Sequence, residues 1–122
     1  MNARTNARRG ALEAIDRVLN RGGDADDVLR AVVGVLRDRG GYSWAGIRFV
    51  EGDGLVLGPS AGEPAAATAV PIEYQGREVA VLEVATTAAD DDDERAFLDR
   101  VAILISPYCL VGWDTGGRRW EP

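Results

Sequence analysis

The stretch Ser43–Gly58, SWAGIRFVEGDGLVLG, constrains the fold more than any other part of the chain. Residues 46–50 alternate between apolar side chains and small or polar ones, the period of two that is typical of a β-strand. The pair Asp53-Gly54 favours a tight hairpin turn, because glycine adopts positive φ without strain. Leu55–Leu57 then predicts a short returning strand, which we expect to end at Gly58-Pro59. The stretch therefore predicts two antiparallel strands.

A second hairpin is predicted further along the chain. Residues 59–66 have the composition of a loop, and the run Ala67–Tyr74 predicts a third strand. Pro71 lacks an N–H group, so this strand should lie at a sheet edge or begin at a bulge. A turn at Gln75–Arg77 leads into Glu78–Val84, which is the most strand-like run of the sequence. Two hairpins, and therefore four strands, are expected.

Three amphipathic helices surround these hairpins. The first spans Arg8–Asn20, and the second begins after the N-cap residue Asp24. The third follows an acidic run, Asp90–Glu94, and should kink or end near Ser106 because Pro107 cannot donate the next helical hydrogen bond. The element order is α-α-β-β-β-β-α, which indicates an α+β fold.

The domain organisation follows from the length and from the two ends. A chain of 122 residues is long enough for one hydrophobic core, so residues 1–122 are expected to form a single domain. Residues 1–7 are predicted to be disordered, and residues 112–122 are predicted to form a tail. The tail residue Trp120, together with Trp113, is expected to cover an open face of the sheet or to lie in a dimer interface.

Composition excludes several classes of function. The net charge of −6 and pI near 4.6 argue against nucleic-acid binding, because no basic surface is available to replace phosphate counterions. No apolar run approaches the ~18 residues that a membrane span needs. The absence of histidine removes the commonest general base and zinc ligand. The single cysteine fits a reducing, cytoplasmic compartment, and the exclusive use of arginine over lysine suggests a GC-rich bacterial genome.

Three strings resemble the GAF family of small sensor domains when they are taken in order. YSWAGIRFVEGDGLVLG is similar to that family's first hairpin, especially in the free methionine-(R)-sulfoxide reductases, which are single-domain GAF enzymes. VPIEYQGREVAVLEV is similar to the later hairpin, and DERAFLDRVAILI to the closing helix. The resemblance covers residues 24–106. It implies an antiparallel sheet of order 2-1-4-3, in which strand 4 lies beside strand 1, with the helices packed on one face.

One departure from the family bears on activity. Full-length GAF domains carry a long segment between the two hairpins, which forms a pocket wall and holds the reductase's catalytic cysteines. Only residues 59–66 span that gap here, and Cys109 matches no catalytic position. The resemblance therefore implies the fold without the enzyme, and we predict no catalytic residue, metal site or cofactor.

Arg48 and Glu83 are the leading candidates for a ligand-binding site. If strands 1 and 4 are neighbours, both side chains point to the face opposite Ile47. The resemblance implies that ligands bind on that face, and Tyr42, Trp44 and Tyr74 are expected to border it. The alternative is a cross-strand ion pair on a solvated sheet.

Two further features have alternative interpretations. The acidic run Asp90–Glu94 could bind a cation, but it lacks EF-hand spacing and suits a helix N-terminus, where acids interact favourably with the helix dipole. Cys109 could be a redox thiol or a small apolar residue at a helix end, and no basic neighbour close in sequence lowers its pKa.

The first functional hypothesis is a non-enzymatic, minimal GAF-like module that binds a small molecule or a partner protein. The alternative is a reduced enzyme related to free methionine-(R)-sulfoxide reductase, and a regulatory subunit with a separate partner is a third option. A homodimer through the helices is also predicted, because three helices compete for a sheet with room for about two. Leu12 on the first helix and Ile103 on the last are its expected contacts.

Overall fold

The predicted element order is the order found in the structure. A computed structural model describes the backbone of residues 3–64, 68–85 and 92–116, and the side chains of residues 6–64, 68–85 and 92–109. The elements are α1 (Ala3–Arg21), α2 (Ala25–Asp38), β1 (Trp44–Glu51), β2 (Gly54–Gly62), β3 (Thr68–Tyr74), β4 (Arg77–Ala85) and α3 (Asp92–Gly116). Asp90, Asp91, Trp120 and the side chain of Trp113, which entered the predictions above, lie outside these described parts.

The four strands form one antiparallel sheet in the predicted order β2-β1-β4-β3. Strands β1 and β4 are central neighbours, and Ile47 pairs with Leu82 across them. Because side chains alternate along a strand, these two residues point to one face together with Val84. All three are buried in a single apolar cluster, hereafter the core cluster, which also contains Val32 and Leu36 of α2 and Phe97 and Val101 of α3.

The first helix does not lie on the sheet. α2 and α3 pack against the strands, whereas α1 packs against α2. Its apolar stripe is covered within the chain, because Ile15 is fully buried and Leu12 packs half-buried against the core cluster. Leu12 and Ile103, the expected contacts of the helical homodimer, remain partly and largely exposed, and that homodimer stays a prediction. α1 also begins at Ala3 rather than Arg8, so the predicted disorder of residues 1–7 does not apply to residues 3–7.

Strand β2 is longer than the sequence predicted. It continues past Gly58-Pro59 to Gly62, so that only residues 63–67 connect it to β3. The pairing register with β1 shifts between Gly46 and Arg48, where two β2 residues oppose one β1 residue. Such a bulge accommodates a proline that would end a regular ladder. The turn itself is Gly52-Asp53, with Gly52 at φ 59°, one residue before the predicted position.

Helix α3 continues through Pro107 to Gly116. Of the two outcomes predicted near Ser106, a kink or an end, the end does not occur. In a regular helix the N–H of residue 107 would donate to the carbonyl of Ile103, and proline has no such donor. The Ser106 hydroxyl donates to that carbonyl instead, at 3.1 Å. The side chain therefore satisfies the acceptor that proline leaves, which explains why the helix does not stop.

Candidate functional site

The two faces of the sheet are chemically different. One face carries the strand residues of the core cluster, and the helices pack on that side. The other carries Trp44, Arg48 and Glu83, because β1 pairs Trp44 with Ala85 and Arg48 with Val81 in an alternating register. We call this second surface the open face. Three of the five predicted site residues therefore share it.

Arg48 and Glu83 form the predicted cross-strand ion pair. Arg48 Nε donates to Glu83 Oε2 at 2.8 Å, and the two side chains are 32% and 19% exposed. They are diagonal neighbours, since Gly46 is the residue directly opposite Glu83. The hydrogen bond uses Nε, and within the described residues no hydrogen bond is found from the two terminal nitrogens of Arg48. The guanidinium can therefore donate to a second anion.

Trp44 lies at the more enclosed end of the open face. It is almost fully buried, yet it does not belong to the core cluster. Its indole lies over Gly46, where a Cβ atom would come within 2.6 Å of Trp44 Cζ2. A side chain at position 46 would have to displace the ring. Glycine at this position therefore keeps the indole flat against β1, close to the Arg48–Glu83 pair.

Tyr42 and Tyr74 do not border the open face, and that part of the prediction is wrong. Tyr42 is buried in the core cluster, and its ring stacks with that of Phe97 at a centroid distance of 6.4 Å. Tyr74 packs partly buried against the same cluster. It follows Ile72, which is fully buried on the helix side, at a spacing of two residues along β3. Both tyrosines therefore contribute to the core.

A buried polar cluster of Arg8, Tyr42 and Glu94 was not predicted. Glu94 is completely buried, and its Oε1 accepts hydrogen bonds from Tyr42 Oη at 3.3 Å and from Arg8 Nη2 at 3.4 Å. The Arg8 side chain is 12% exposed. This cluster joins α1, the segment before β1 and the first turn of α3. Helical spacing could have indicated it, because Glu94 lies four and seven residues before the core residues Leu98 and Val101.

The structure supports neither redox chemistry at Cys109 nor cation binding by the acidic run. Cys109 is buried, and desolvation raises the pKa of its thiol to about 12. A thiol with that pKa stays protonated near neutral pH and is a poor nucleophile. In the acidic run, Asp92, Asp93 and Glu94 form the first turn of α3. Among the described residues no group of three metal-ligating side chains is placed to hold a metal ion.

A cleft of about 470 Å³ lies away from the predicted site, at the outer edge of β3. Its lining comes from the second hairpin and from α3: Pro71, Glu73, Gly76, Asp99, Ala102 and Ile103. The charged groups of this lining are two carboxylates. The cleft therefore lacks the cationic donor that Arg48 supplies on the open face, and it would not recognise an anionic group.

Solved structures share this architecture. Free methionine-R-sulfoxide reductase from Neisseria meningitidis, in complex with its substrate, is 20% identical over 84% of this chain and 88% of that chain, with a TM-score of 0.74. The GAF domain of A. aeolicus nlh2, in an inactive state, is 13% identical over 88% of this chain and 98% of that chain, with a TM-score of 0.74. The GAF domain of an Acinetobacter phosphoenolpyruvate-protein phosphotransferase is 14% identical over 97% and 99%, with a TM-score of 0.69.

These similarities show that the chain has a GAF-like fold, as the resemblance of the three strings implied. No protein-family model matches the sequence, and no curated protein matches it. The structures with this fold include both sensor domains and enzymes, so the fold alone does not decide between the two functions. Among the described residues, no helix is long and apolar enough to cross a membrane.

Proposed function

We propose that this chain is a non-enzymatic, GAF-like regulatory module that binds a small molecule on its open face. The observation that carries the proposal is the Arg48–Glu83 pair, which combines a 2.8 Å contact with partial burial beside the enclosed Trp44. Partial burial strengthens an ion's interactions relative to bulk water. A cytoplasmic location, expected from the single cysteine, is part of the same proposal.

The chemistry of the pair favours a zwitterion such as a free amino acid. A guanidinium binds carboxylates through parallel N–H donors, and the terminal nitrogens of Arg48 are the groups that would make this contact. The Glu83 carboxylate would accept from the ligand's ammonium group. The Neisseria enzyme with a similar fold was solved with its substrate bound, which supports a small ligand on this scaffold.

The non-enzymatic part of the proposal rests on the position of Cys109. An enzyme that reduces a sulfoxide through cysteine needs an accessible thiolate, and this thiol is buried with its pKa raised to about 12. The chain has no histidine to act as a base. Arg48 and Glu83 can hold a ligand, but neither supplies a nucleophile that the sulfoxide can oxidise and a thiol reductant can then regenerate.

Calorimetric titration with L-methionine-(R)-sulfoxide and with L-methionine tests ligand binding. We expect the wild type to bind at least one of them and Arg48→Met to weaken that binding roughly tenfold or more, because one charge-assisted hydrogen-bond partner is lost. Arg30→Met is the matched control, since Arg30 forms a similar 2.7 Å pair with Asp26 on α2. Equal affinity in both variants would place the ligand elsewhere.

Native mass spectrometry of freshly purified protein gives an independent answer, because it detects any small molecule retained through purification. A retained mass that disappears in Arg48→Met and persists in Arg30→Met supports the open face. If the wild type neither retains a small molecule nor binds any zwitterion, the small-molecule proposal fails. In that case binding of a partner protein is the function that the fold supports.

The alternative, a reduced enzyme related to the free methionine-(R)-sulfoxide reductases, has a direct test. We expect no thiol-dependent consumption of free methionine sulfoxide by the wild type. Turnover that is abolished by Cys109→Ser would establish the enzyme instead. Because binding and turnover are measured separately, a protein that binds the sulfoxide without reducing it is also recognised.

A further inference from the structure

The outer edge of β2 carries the largest exposed apolar group of the described residues. Leu55, Val56 and Leu57 are 48%, 46% and 43% exposed, and they follow one another along the chain. β2 ends the sheet on this side, so no described strand pairs with its outer edge. An unpaired edge with apolar side chains is a template for another strand.

The sequence of this edge is self-complementary. Gly54–Gly58 reads G-L-V-L-G in both directions. Antiparallel pairing of two copies about Val56 would place Leu55 of each copy opposite Leu57 of the other. Paired residues in an antiparallel ladder point to the same face, so apolar groups meet on both sides of the sheet. A two-fold axis through Val56 makes the contact identical for both copies, as an isologous interface requires.

Charge also favours a second copy at this place. The chain has a net charge of −6, so two copies repel each other in general, but Gly54–Gly62 contains no charged residue. The bulge at Gly58-Pro59 interrupts the regular edge and limits pairing to the five palindromic residues. The acidic residues Glu51 and Asp53 then lie beside the uncharged end of the partner's strand.

The other edge of the sheet is protected against strand pairing. β3 carries Pro71, which lacks an N–H, and its pairing register with β4 shifts between Ile72 and Glu73. Proline, a bulge and a charged side chain are three devices by which natural proteins prevent edge-to-edge contact. β2 has its proline and its bulge at Gly58-Pro59, the end of the palindromic segment. The apolar residues Leu55–Leu57 have none of these devices.

We propose that two copies of this chain associate through their β2 edges, with Val56 on the two-fold axis. The product is one eight-stranded antiparallel sheet, in which the helices of both copies lie on one side and the two open faces are adjacent on the other. This interaction uses the outer edge of β2; Leu57 pairs with Arg48 across the inner side of that strand, so the two sites are neighbours. The dimer does not depend on the small-molecule proposal. Three half-exposed side chains per copy are fewer than the ~20–30 residues a side of a standard interface. The dimer should therefore dissociate on dilution.

Disulfide trapping distinguishes this dimer from a helix-mediated one. At the axis, the two Val56 positions would have Cα atoms about 4.5–5.5 Å apart, within the range of a disulfide. Val56→Cys should form a linked dimer under mild oxidation, roughly tenfold or more faster than Ile103→Cys. Position 103 is the matched control because it is 68% exposed and lies on α3, where the helix-mediated homodimer was predicted. The native Cys109 is buried and should not interfere.

Sedimentation velocity over a concentration series gives the second readout. The variant Leu55→Lys/Leu57→Lys places like charges opposite each other and should be monomeric where the wild type dimerises. Leu55→Lys/Leu57→Glu places opposite charges together and should recover the dimer. Circular dichroism confirms that these half-exposed positions leave the fold intact. Faster linkage at position 103, a wild type that is monomeric at every concentration, or no rescue by the charge pair would each overturn the β2 interface.

Discussion

Replacement of Glu94 by leucine should strongly destabilise the protein, and joint replacement of Arg8, Tyr42 and Glu94 should destabilise it less. Glu94 is completely buried and accepts hydrogen bonds from Arg8 and Tyr42. Glu94→Leu removes the charge opposite a guanidinium that is itself largely buried. Loss of one member of a buried ion pair typically costs about 3–5 kcal/mol, because the attraction that offset the desolvation of the other member is removed.

The expected value lies near the lower end of that range. The Arg8 side chain retains 12% exposure and belongs to the first turns of α1, so it can turn toward water. We therefore expect a loss of about 3 kcal/mol, a large part of the ~5–15 kcal/mol that a domain of this kind has. Its melting temperature should fall by roughly 10 °C.

The triple variant Arg8→Met/Tyr42→Phe/Glu94→Leu is the decisive comparison. It replaces all three polar groups by apolar ones of similar size, and such replacements of buried ion pairs are often neutral or stabilising. Urea unfolding followed by circular dichroism gives the free energy of unfolding of wild type, single and triple variants. We expect the triple variant to be more stable than the single one by at least about 1 kcal/mol. A triple variant as unstable as Glu94→Leu, or a single variant close to wild type, would refute the reasoning.

Three further predictions follow from the core and the open face. Ile47→Ala should lower the free energy of unfolding in urea by about 2–5 kcal/mol, because Ile47 is fully buried. Gly46→Ala should displace the Trp44 indole and shift its fluorescence to longer wavelength, whereas Gly54→Ala, with no atom within 4 Å of its Cβ position, should not. The Cys109 pKa is raised from 9.0 to about 12, so the thiol stabilises the fold below pH 9 and that contribution declines as pH rises toward 12. Relative to Cys109→Ala, the wild type should lose about 1.4 kcal/mol per pH unit above pH 9, and equal slopes would contradict this.

Local patterns and the resemblance were sufficient to predict the sheet and to place three of the five proposed site residues on the open face. The period of two and the glycine-rich turns located both hairpins, and the resemblance placed β4 beside β1. With β4 beside β1, the alternation of side chains along each strand places Arg48 and Glu83 on one face. Trp44 followed from the same parity. These predictions depend on backbone geometry, which the sequence pattern expresses directly.

The wrong predictions concern residues at which a local sequence rule does not determine the structure. Pro59 was interpreted as the end of β2, but a bulge accommodates it within the strand. Glu94 was treated as one more acid of a run, although its helical spacing from Leu98 places it on the buried side. Tyr42 lies outside any strand, so parity gave no information about its direction, and its hydroxyl pairs with Glu94 in the core.

The hydrogen bond at this turn of α3 constrains the order in which Ser106 and Pro107 can be substituted during evolution. The hydroxyl of Ser106 is needed at the Ile103 carbonyl because Pro107 donates nothing there. A lineage that first replaced Pro107 by alanine would regain the backbone donor, and Ser106 would then be free to vary. A lineage that first replaced Ser106 would leave the Ile103 carbonyl without the hydroxyl donor, because Pro107 has no N–H to replace it. In related sequences, Pro107 is therefore expected to be substituted before Ser106.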